Sequence, residues 1–282
     1  MTITRLGIVG SGIMGSGIAE VAAKSGIEVI LRSRQRSTAD AMVAGLEKSL
    51  AKQVAKGRLE EQAAKEISAR VSGTDDLHAL HDCDIVLESV VEDLTVKKEL
   101  FTRLDDIVKP EGLIATNTST LPVVDLAMAT ERPDKVVGIH FFNPAPMMSL
   151  VEVIAPLTAS QASVATARDF AISCGKDVVE VKDRAGFVVN ALLFPYLNNA
   201  VRMLEAGTAS RDDIDTAMKG GCNFPMGPLA LLDLVGLDTS VSILDALYAE
   251  FRDPNYAAMP LLRRMVAAGQ LGRKTGTGFY SY

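Results

Sequence analysis

The sequence predicts an α/β fold, a doubly wound parallel sheet, followed by a second, all-α region, and three observations support that prediction. Short apolar runs alternate with helical patterns up to about residue 183, the alternation expected of a parallel sheet covered on both faces. A glycine-rich turn joins the first apolar run to the first helical pattern. Beyond Asp183-Arg184-Ala185-Gly186 helical patterns follow almost exclusively, so the expected domains are residues 1–183 and 184–282.

The run Ile3–Val9, centred on Leu6-Gly7-Ile8-Val9, reads as the first strand. Ile13–Ser25 reads as a helix with Ile18, Val21 and Ala22 on one face, ended by Gly26. Glu28–Leu31 reads as the second strand, and one long helix, charged along one side, is predicted over roughly Ala39–Arg70. Further strands are predicted at Ile85–Glu88, Leu113–Thr116, Val136–Phe141, Leu150–Ile154 and Asp177–Val181, with helices at Leu94–Leu104 and Val123–Met128. In the second region Ser210, with Asp213 three residues on, has capping-box spacing before Ile214, Ala217 and Met218. Leu229–Leu234 and Val241–Phe251 carry helical patterns, and Pro195 should kink or restart the helix that contains it.

A chain of 282 residues, 48% hydrophobic and 23% charged, suits two globular domains with a sizeable core and excludes long disorder. The net charge of -6 argues against nucleic acid as a partner, and the longest basic run, Arg32-Ser33-Arg34-Gln35-Arg36, is too short to offset it. No stretch of about 18 apolar residues is present, so no membrane span is expected. Cys83, Cys174 and Cys222 are far apart and odd in number, with neither metal-ligand spacing nor a disulfide framework. With no signal-peptide pattern ahead of the first strand, the expected location is the cytoplasm.

Gly10-Ser11-Gly12-Ile13-Met14-Gly15 fits G-x-G-x-x-G, a weak pattern alone that gains weight because a predicted strand precedes it and a predicted helix follows. In that setting the first glycine permits the tight turn, the second admits a pyrophosphate, and the third lets helix and strand pack closely. A nicotinamide dinucleotide on a Rossmann-type domain is the implied cofactor. In this fold an acid about 20 residues on bonds the ribose 2′-hydroxyl. Ser33 occupies that place, flanked by Arg32 and Arg34. Guanidinium groups bind phosphate oxygens in pairs, so this substitution favours NADP, with NAD as the alternative.

His140 ends the apolar run Val136–Ile139, where ligands bind in open α/β sheets. Twelve residues on, Glu152 lies inside the apolar strand Leu150–Ile154 and needs a partner there. A carboxylate behind an imidazole makes a base suited to a hydroxyl proton. His78 and His81 lie in a polar segment and read as surface residues.

Gly10–Gly15, Glu88–Asp93, Thr116–Thr120, His140–Pro144, Leu150–Val153, Asp183–Asn190 and Gly276–Tyr280, in this order, resemble the motifs of the L-3-hydroxyacyl-CoA dehydrogenase family. The nearest branch is the short-chain bacterial one that acts on 3-hydroxybutyryl-CoA and acetoacetyl-CoA. The resemblance implies hydride transfer at C3 of an acyl-CoA, with His140 as general acid/base, Glu152 as its charge partner, and Ser119 and Asn190 bonding the substrate oxygens. Glu92, Lys97, Asn117, Ser119, Asn143 and Lys274 would line the cofactor, and Ser49 and Lys56 would meet coenzyme A. A solvated helix face is the plainer account of the last two. Asn190 opens the helical region, placed to reach back toward the sheet, and a homodimer built through that region is also implied.

Ser33 departs from the family pattern, as do Ala191, where many relatives carry arginine, and Thr120, in place of a common serine. The alternatives are a dehydrogenase of another 3-hydroxy acid or of an acyl-carrier thioester on the same scaffold, and a binding protein that has lost catalysis.

Overall fold

The computed structural model describes residues 3–282; Met1 and Thr2, at the head of the first predicted domain, lie outside the described residues. The chain divides into two compact units between Asp183 and Arg184. In order, the first unit holds β1 (Arg5–Val9), α1 (Ile13–Lys24), β2 (Glu28–Arg32), α2 (Arg36–Ala55), α3 (Glu61–Ala69) and β3 (Val71–Thr74). It continues with β4 (Ile85–Glu88), α4 (Leu94–Ile107), β5 (Leu113–Thr116), α5 (Val123–Ala127), β6 (Val136–Phe141), β7 (Leu150–Ala155), α6 (Gln161–Ser173) and β8 (Asp177–Lys182).

These strands form one sheet in the order β3-β2-β1-β4-β5-β6-β7-β8. Neighbours from β3 to β6 run parallel, β7 is antiparallel to β6, and β8 is parallel to β7. This is the Rossmann-type doubly wound sheet predicted. The strand order reverses between β1 and β4, and the crevice at the carboxyl ends of such a pair is where this architecture binds ligands. One face packs on α1, α2, α3 and α6 through residues such as Ile18, Leu46 and Phe170 against Leu6, Leu31 and Val137.

Strands β4, β5 and β6 are buried along their whole length, as expected of parallel strands covered on both faces. Burial has a consequence for the three polar side chains in those runs, Glu88, Thr116 and His140. Taken out of water, each must find a partner inside the protein.

The predicted long helix over Ala39–Arg70 is two helices. Helix α2 ends at Ala55, and Gly57, with φ +65°, turns the chain before α3 begins. A left-handed glycine just past the last turn is a helix stop that an i, i+4 apolar count passes over. No element is predicted over Val71–Thr74 or Gln161–Ser173, yet both are regular. Strand β3 is only half apolar, and its pairing with β2 makes it a strand. Helix α6 carries a local signal, since Ser160 Oγ accepts from Ser163 N at its start.

The second unit contains α7 (Val189–Glu205), α8 (Arg211–Cys222), α9 (Pro228–Val235), α10 (Leu237–Phe251) and α11 (Pro260–Ala267). Their shared core includes Leu197, Leu229, Leu232, Leu244 and Leu262. Helix α7 runs on through Pro195 rather than restarting. Its buried face offsets the hydrogen bond that proline forgoes: Phe194 and Leu197 are packed inward, and Asn198 bonds Ala257 O and Met259 N, both at 2.9 Å. Ser210 caps α8 by accepting from Asp213 N. Among the described residues, no helix is long and apolar enough to cross a membrane.

Candidate active site

The glycine turn is shaped by contacts that only glycine permits. Gly10 has φ +140°, and a Cβ there would lie 2.1 Å from Ser89 O, so the turn after β1 presses directly on the segment after β4. A Cβ on Gly15 would meet Gly10 O at 2.7 Å, which sets how closely α1 packs on the turn. A Cβ on Gly12, in contrast, would meet nothing within 4 Å. Helix α1 has no side-chain cap at Gly12 and no acid in its first turn, and Ile13 beside it is 77% exposed while Met14 packs on the core. Open space at the middle glycine and an uncapped helix N-terminus fit a dinucleotide pyrophosphate.

At the end of β2, Ser33 is buried and its amide donates to Thr74 O at 3.0 Å. Arg34 is exposed, and Arg32 donates from Nε to Asp75 O at 3.2 Å. Burial, and then the charges of Arg103 and Arg34, push the Arg32 guanidinium below its ordinary range. Asp75 and Asp76 act on Arg32 in the opposite sense, so three guanidinium groups and two carboxylates meet beside this strand end.

His140 and Glu152 stand opposite each other in the antiparallel β6–β7 pair, so their side chains share one face of the sheet. His140 Nδ1 lies 2.8 Å from Glu152 Oε2, with the histidine 4% and the glutamate 1% exposed. A carboxylate only accepts, so the proton of this bond sits on Nδ1, and Nε2 is left as the acceptor. Ser119 Oγ lies 3.2 Å from Nε2. The ring of Phe142 packs on the imidazole with centroids 4.5 Å apart. Such an arrangement can take a proton at Nε2 and stabilise the resulting imidazolium from behind.

Ser119 is held by Glu92, whose Oε1 accepts from Ser119 N at 2.9 Å and from the Thr118 hydroxyl. Burial opposes ionisation of Glu92, but Lys97, with the bonds from Thr118 and Ser119, holds its carboxyl below the usual range. Lys97 itself is 1% exposed. Its ammonium bonds both oxygens of Glu88, at 2.7 and 2.9 Å, and lies 3.2 Å from Glu92 Oε2. Asn117 Oδ1 accepts from Phe141 N at 2.8 Å, tying the end of β5 to the end of β6. Asn143 is exposed two residues past β6. Asp183 accepts from Val123 N at 3.0 Å and Val124 N at 2.7 Å, which anchors the end of the Ser119 loop at the start of α5.

The structure thus gathers His140, Glu152, Ser119, Glu92, Lys97 and Asn117 at the carboxyl ends of β4, β5 and β6. Ser49 and Lys56 stand apart from them on α2 and at its C-cap, and Ser49 Oγ donates to Glu20 Oε2 at 2.9 Å. In the second unit, Asn190 is buried in the first turn of α7, and Lys274 is exposed and ion-paired with Asp238. His78 and His81 are both exposed. The sequence reading gave no role to Glu88 or Thr116, although an acid ending the apolar run Ile85-Val86-Leu87 poses the same question that singled out Glu152.

Comparison with known proteins accounts for nearly the whole chain. Residues 5–184 match the family described as 3-hydroxyacyl-CoA dehydrogenase, NAD binding domain, and residues 186–282 match 3-hydroxyacyl-CoA dehydrogenase, C-terminal domain. The chain is 47% identical over 278 residues to a 3-hydroxybutyryl-CoA dehydrogenase of Clostridioides difficile, covering 99% of each chain. It is 43% identical over 288 residues to the mitochondrial hydroxyacyl-coenzyme A dehydrogenase of Sus scrofa, covering 99% of this chain and 91% of that one. The crystal structure of (S)-3-hydroxybutyryl-CoA dehydrogenase PaaH1 from Ralstonia eutropha superposes with a TM-score of 0.97 at 42% identity, over 100% of this chain and 99% of that one. With both family domains matched in order and the glycine turn shaped for a dinucleotide, the chain belongs to the 3-hydroxyacyl-CoA dehydrogenase family.

Proposed function

We propose that this enzyme transfers a hydride between a nicotinamide dinucleotide and C3 of a short-chain (S)-3-hydroxyacyl-CoA, with 3-hydroxybutyryl-CoA and acetoacetyl-CoA as the substrate pair. The observation that carries this reading is the line Ser119 Oγ, His140 Nε2, His140 Nδ1, Glu152 Oε2, with contacts of 3.2 and 2.8 Å, at the carboxyl end of β6. Bound on the glycine turn, the cofactor supplies the hydride acceptor or donor. The protein's part is the proton. His140 Nε2 takes it from the 3-hydroxyl during oxidation and returns it during reduction, Glu152 holds the ring and its charge, and Ser119 bonds the same substrate oxygen.

The roles of Asn190 toward the substrate, of Glu92, Lys97, Asn117, Asn143 and Lys274 toward the cofactor, and of Ser49 and Lys56 toward coenzyme A rest on the family resemblance. Ser49 spends its one hydroxyl proton on Glu20, so toward coenzyme A it would serve as an acceptor. The proposed cofactor is NADP, because Ser33 offers no carboxylate to repel a 2′-phosphate and the guanidinium groups of Arg32, Arg34 and Arg103 favour one against the nearby Asp75 and Asp76. We also propose a homodimer through the second unit, which exposes Leu192, Met203 and Leu234, and a cytoplasmic location suited to three free cysteines.

Reduction of acetoacetyl-CoA with NADPH and with NADH tests these statements together. Turnover with a higher kcat/KM for NADPH is expected. Faster turnover with NADH overturns the cofactor proposal alone. Cofactor binding without turnover replaces the substrate by another 3-hydroxy acid or an acyl-carrier thioester, and no binding points to a protein that has lost catalysis. Light scattering that finds a stable monomer removes the dimer.

A further inference from the structure

We infer that Glu88 is a positioning residue that sets the reach of Ser119 to His140, acting by two separate routes. This inference rests on the reading of Ser119 and His140 given above. Glu88 is 0% exposed and its two oxygens accept four bonds. Oε1 takes Val90 N at 2.6 Å and Lys97 Nζ at 2.7 Å; Oε2 takes Lys97 Nζ at 2.9 Å and Thr116 Oγ1 at 2.8 Å.

The first route is ionic. Lys97 has three N–H donors, and three carboxylate oxygens lie within reach: both of Glu88 and Oε2 of Glu92 at 3.2 Å. Lys97 is thus placed by Glu88 and in turn places Glu92. Glu92 Oε1 then fixes the loop through Ser119 N and the Thr118 hydroxyl. The second route is a hydroxyl relay. The Thr116 hydroxyl gives its proton to Glu88 and accepts from Thr118 N at 3.1 Å. Both routes end on the residue before Ser119 or on Ser119 itself. A third bond, to Val90 N, ties the same carboxylate to the segment against which Gly10 packs. Glu88 thus registers the Ser119 loop against the strand end beside the glycine turn.

Glu88 is fully buried and its oxygens are taken by protein donors, so it acts through the groups it bonds, and the inference requires that the larger part of its effect pass through Ser119. That requirement is testable as non-additivity. In the full-length enzyme, Glu88→Gln is expected to lower kcat for acetoacetyl-CoA reduction on the order of 10- to 100-fold, while KM changes by less than about threefold. In a Ser119→Ala background the same substitution should cost less than about threefold, because the loop no longer carries a group to position. Backbone hydrogen exchange gives a readout independent of turnover: peptides spanning Thr116–Leu121 should exchange faster in Glu88→Gln, and peptides from α10 should not. Thr116→Val, which cuts only the hydroxyl relay, should act in the same direction with a loss of about three- to tenfold, and it replaces Glu88→Gln in the cycle if circular dichroism finds that variant unfolded. An undiminished kcat, equal losses in both backgrounds, or unchanged exchange over Thr116–Leu121 overturns the inference. If the unsubstituted enzyme leaves acetoacetyl-CoA untouched, the substrate reading falls instead, and the exchange measurement still decides the role of Glu88.

Discussion

Strand β4 has a buried carboxylate at each end, and the two have opposite fates. Asp84 lies just ahead of the strand and Glu88 is its last residue, at 6% and 0% exposure. Each is met by a lysine from a later element, Lys109 at 2.6 Å and Lys97 at 2.7 Å, and each also accepts from backbone amides. At the amino end the partners are Thr4 and Arg5, and the network runs out to the surface through the Arg5–Glu28 and Arg5–Asp82 pairs. At the carboxyl end it runs through the half-open Glu92 and Ser119 to the buried His140. The requirement that a buried acid be paired is the same at both ends. What differs is the loops: in a parallel sheet, those following the carboxyl ends of β1, β4, β5 and β6 converge, so pairing there also aims side chains at a common point. One end is a stitch and the other a scaffold.

That contrast predicts which substitutions cost turnover and which cost stability. The largest effect should come from the carboxyl end: His140→Gln, which can still bond Glu152, is expected to lower kcat on the order of 10³-fold with little change in Tm. Turnover near the native rate would remove His140 as the acid/base. At the amino end, Asp84→Asn should leave kcat unchanged and lower stability by about 2 kcal/mol at neutral pH, read by urea unfolding. Burial pushes the Asp84 carboxyl up, but Lys109 and the Thr4 and Arg5 amides outweigh it and bring its pKa down to about 2 from 3.8. A depressed folded-state pKa contributes stability that is full above the unfolded value and is lost as the pH falls through the folded one. The difference between native and Asp84→Asn should therefore shrink between about pH 4 and pH 2. A difference that persists at the acid end would mean that packing, not charge, is what Asp84 provides.

A smaller effect is expected at the end of β2. Ser33→Asp should move the ratio of kcat/KM for NADPH over NADH about tenfold toward NADH. No movement would separate cofactor choice from this position. The smallest is a matter of thiol chemistry. Burial first of all pushes Cys83 to about 12 and Cys174 to about 11, while Cys222 is exposed. A thiol reagent at mildly alkaline pH should modify Cys222 alone and leave turnover intact. Labelling of Cys83 without unfolding would show the amino-end stitch to be looser than its hydrogen bonds suggest.

Several parts of this layout were legible in the sequence for local reasons. The turn Gly10–Gly15 is contiguous, so its setting between strand and helix is apparent from neighbouring residues. The change at Asp183–Gly186 marks a shift from alternating patterns to almost exclusively helical ones. Less legible was whatever depends on partners far along the chain. Strand β3, Val-Ser-Gly-Thr, has little strand character until β2 pairs with it. Glu88 meets Thr116 across 28 residues and Lys97 across a turn and most of a helical turn, and no spacing rule joins them. The split of α2 from α3 was missed for the opposite reason: the stop at Gly57 is local, but the apolar periodicity on either side masks it.

The amino-acid sequence by itself determined the alternation of strands and helices, the glycine turn, and the presence of one histidine and one glutamate inside apolar runs. These depend on backbone preference and on which residues leave water, and both are properties of short segments. Tertiary structure decided that β6 and β7 pair antiparallel with His140 opposite Glu152, and that Glu88, Lys97, Glu92 and Thr116 close on the Ser119 loop. A hydrogen bond acts only over about 3 Å, so it exists only once the sheet has fixed its strand order and register.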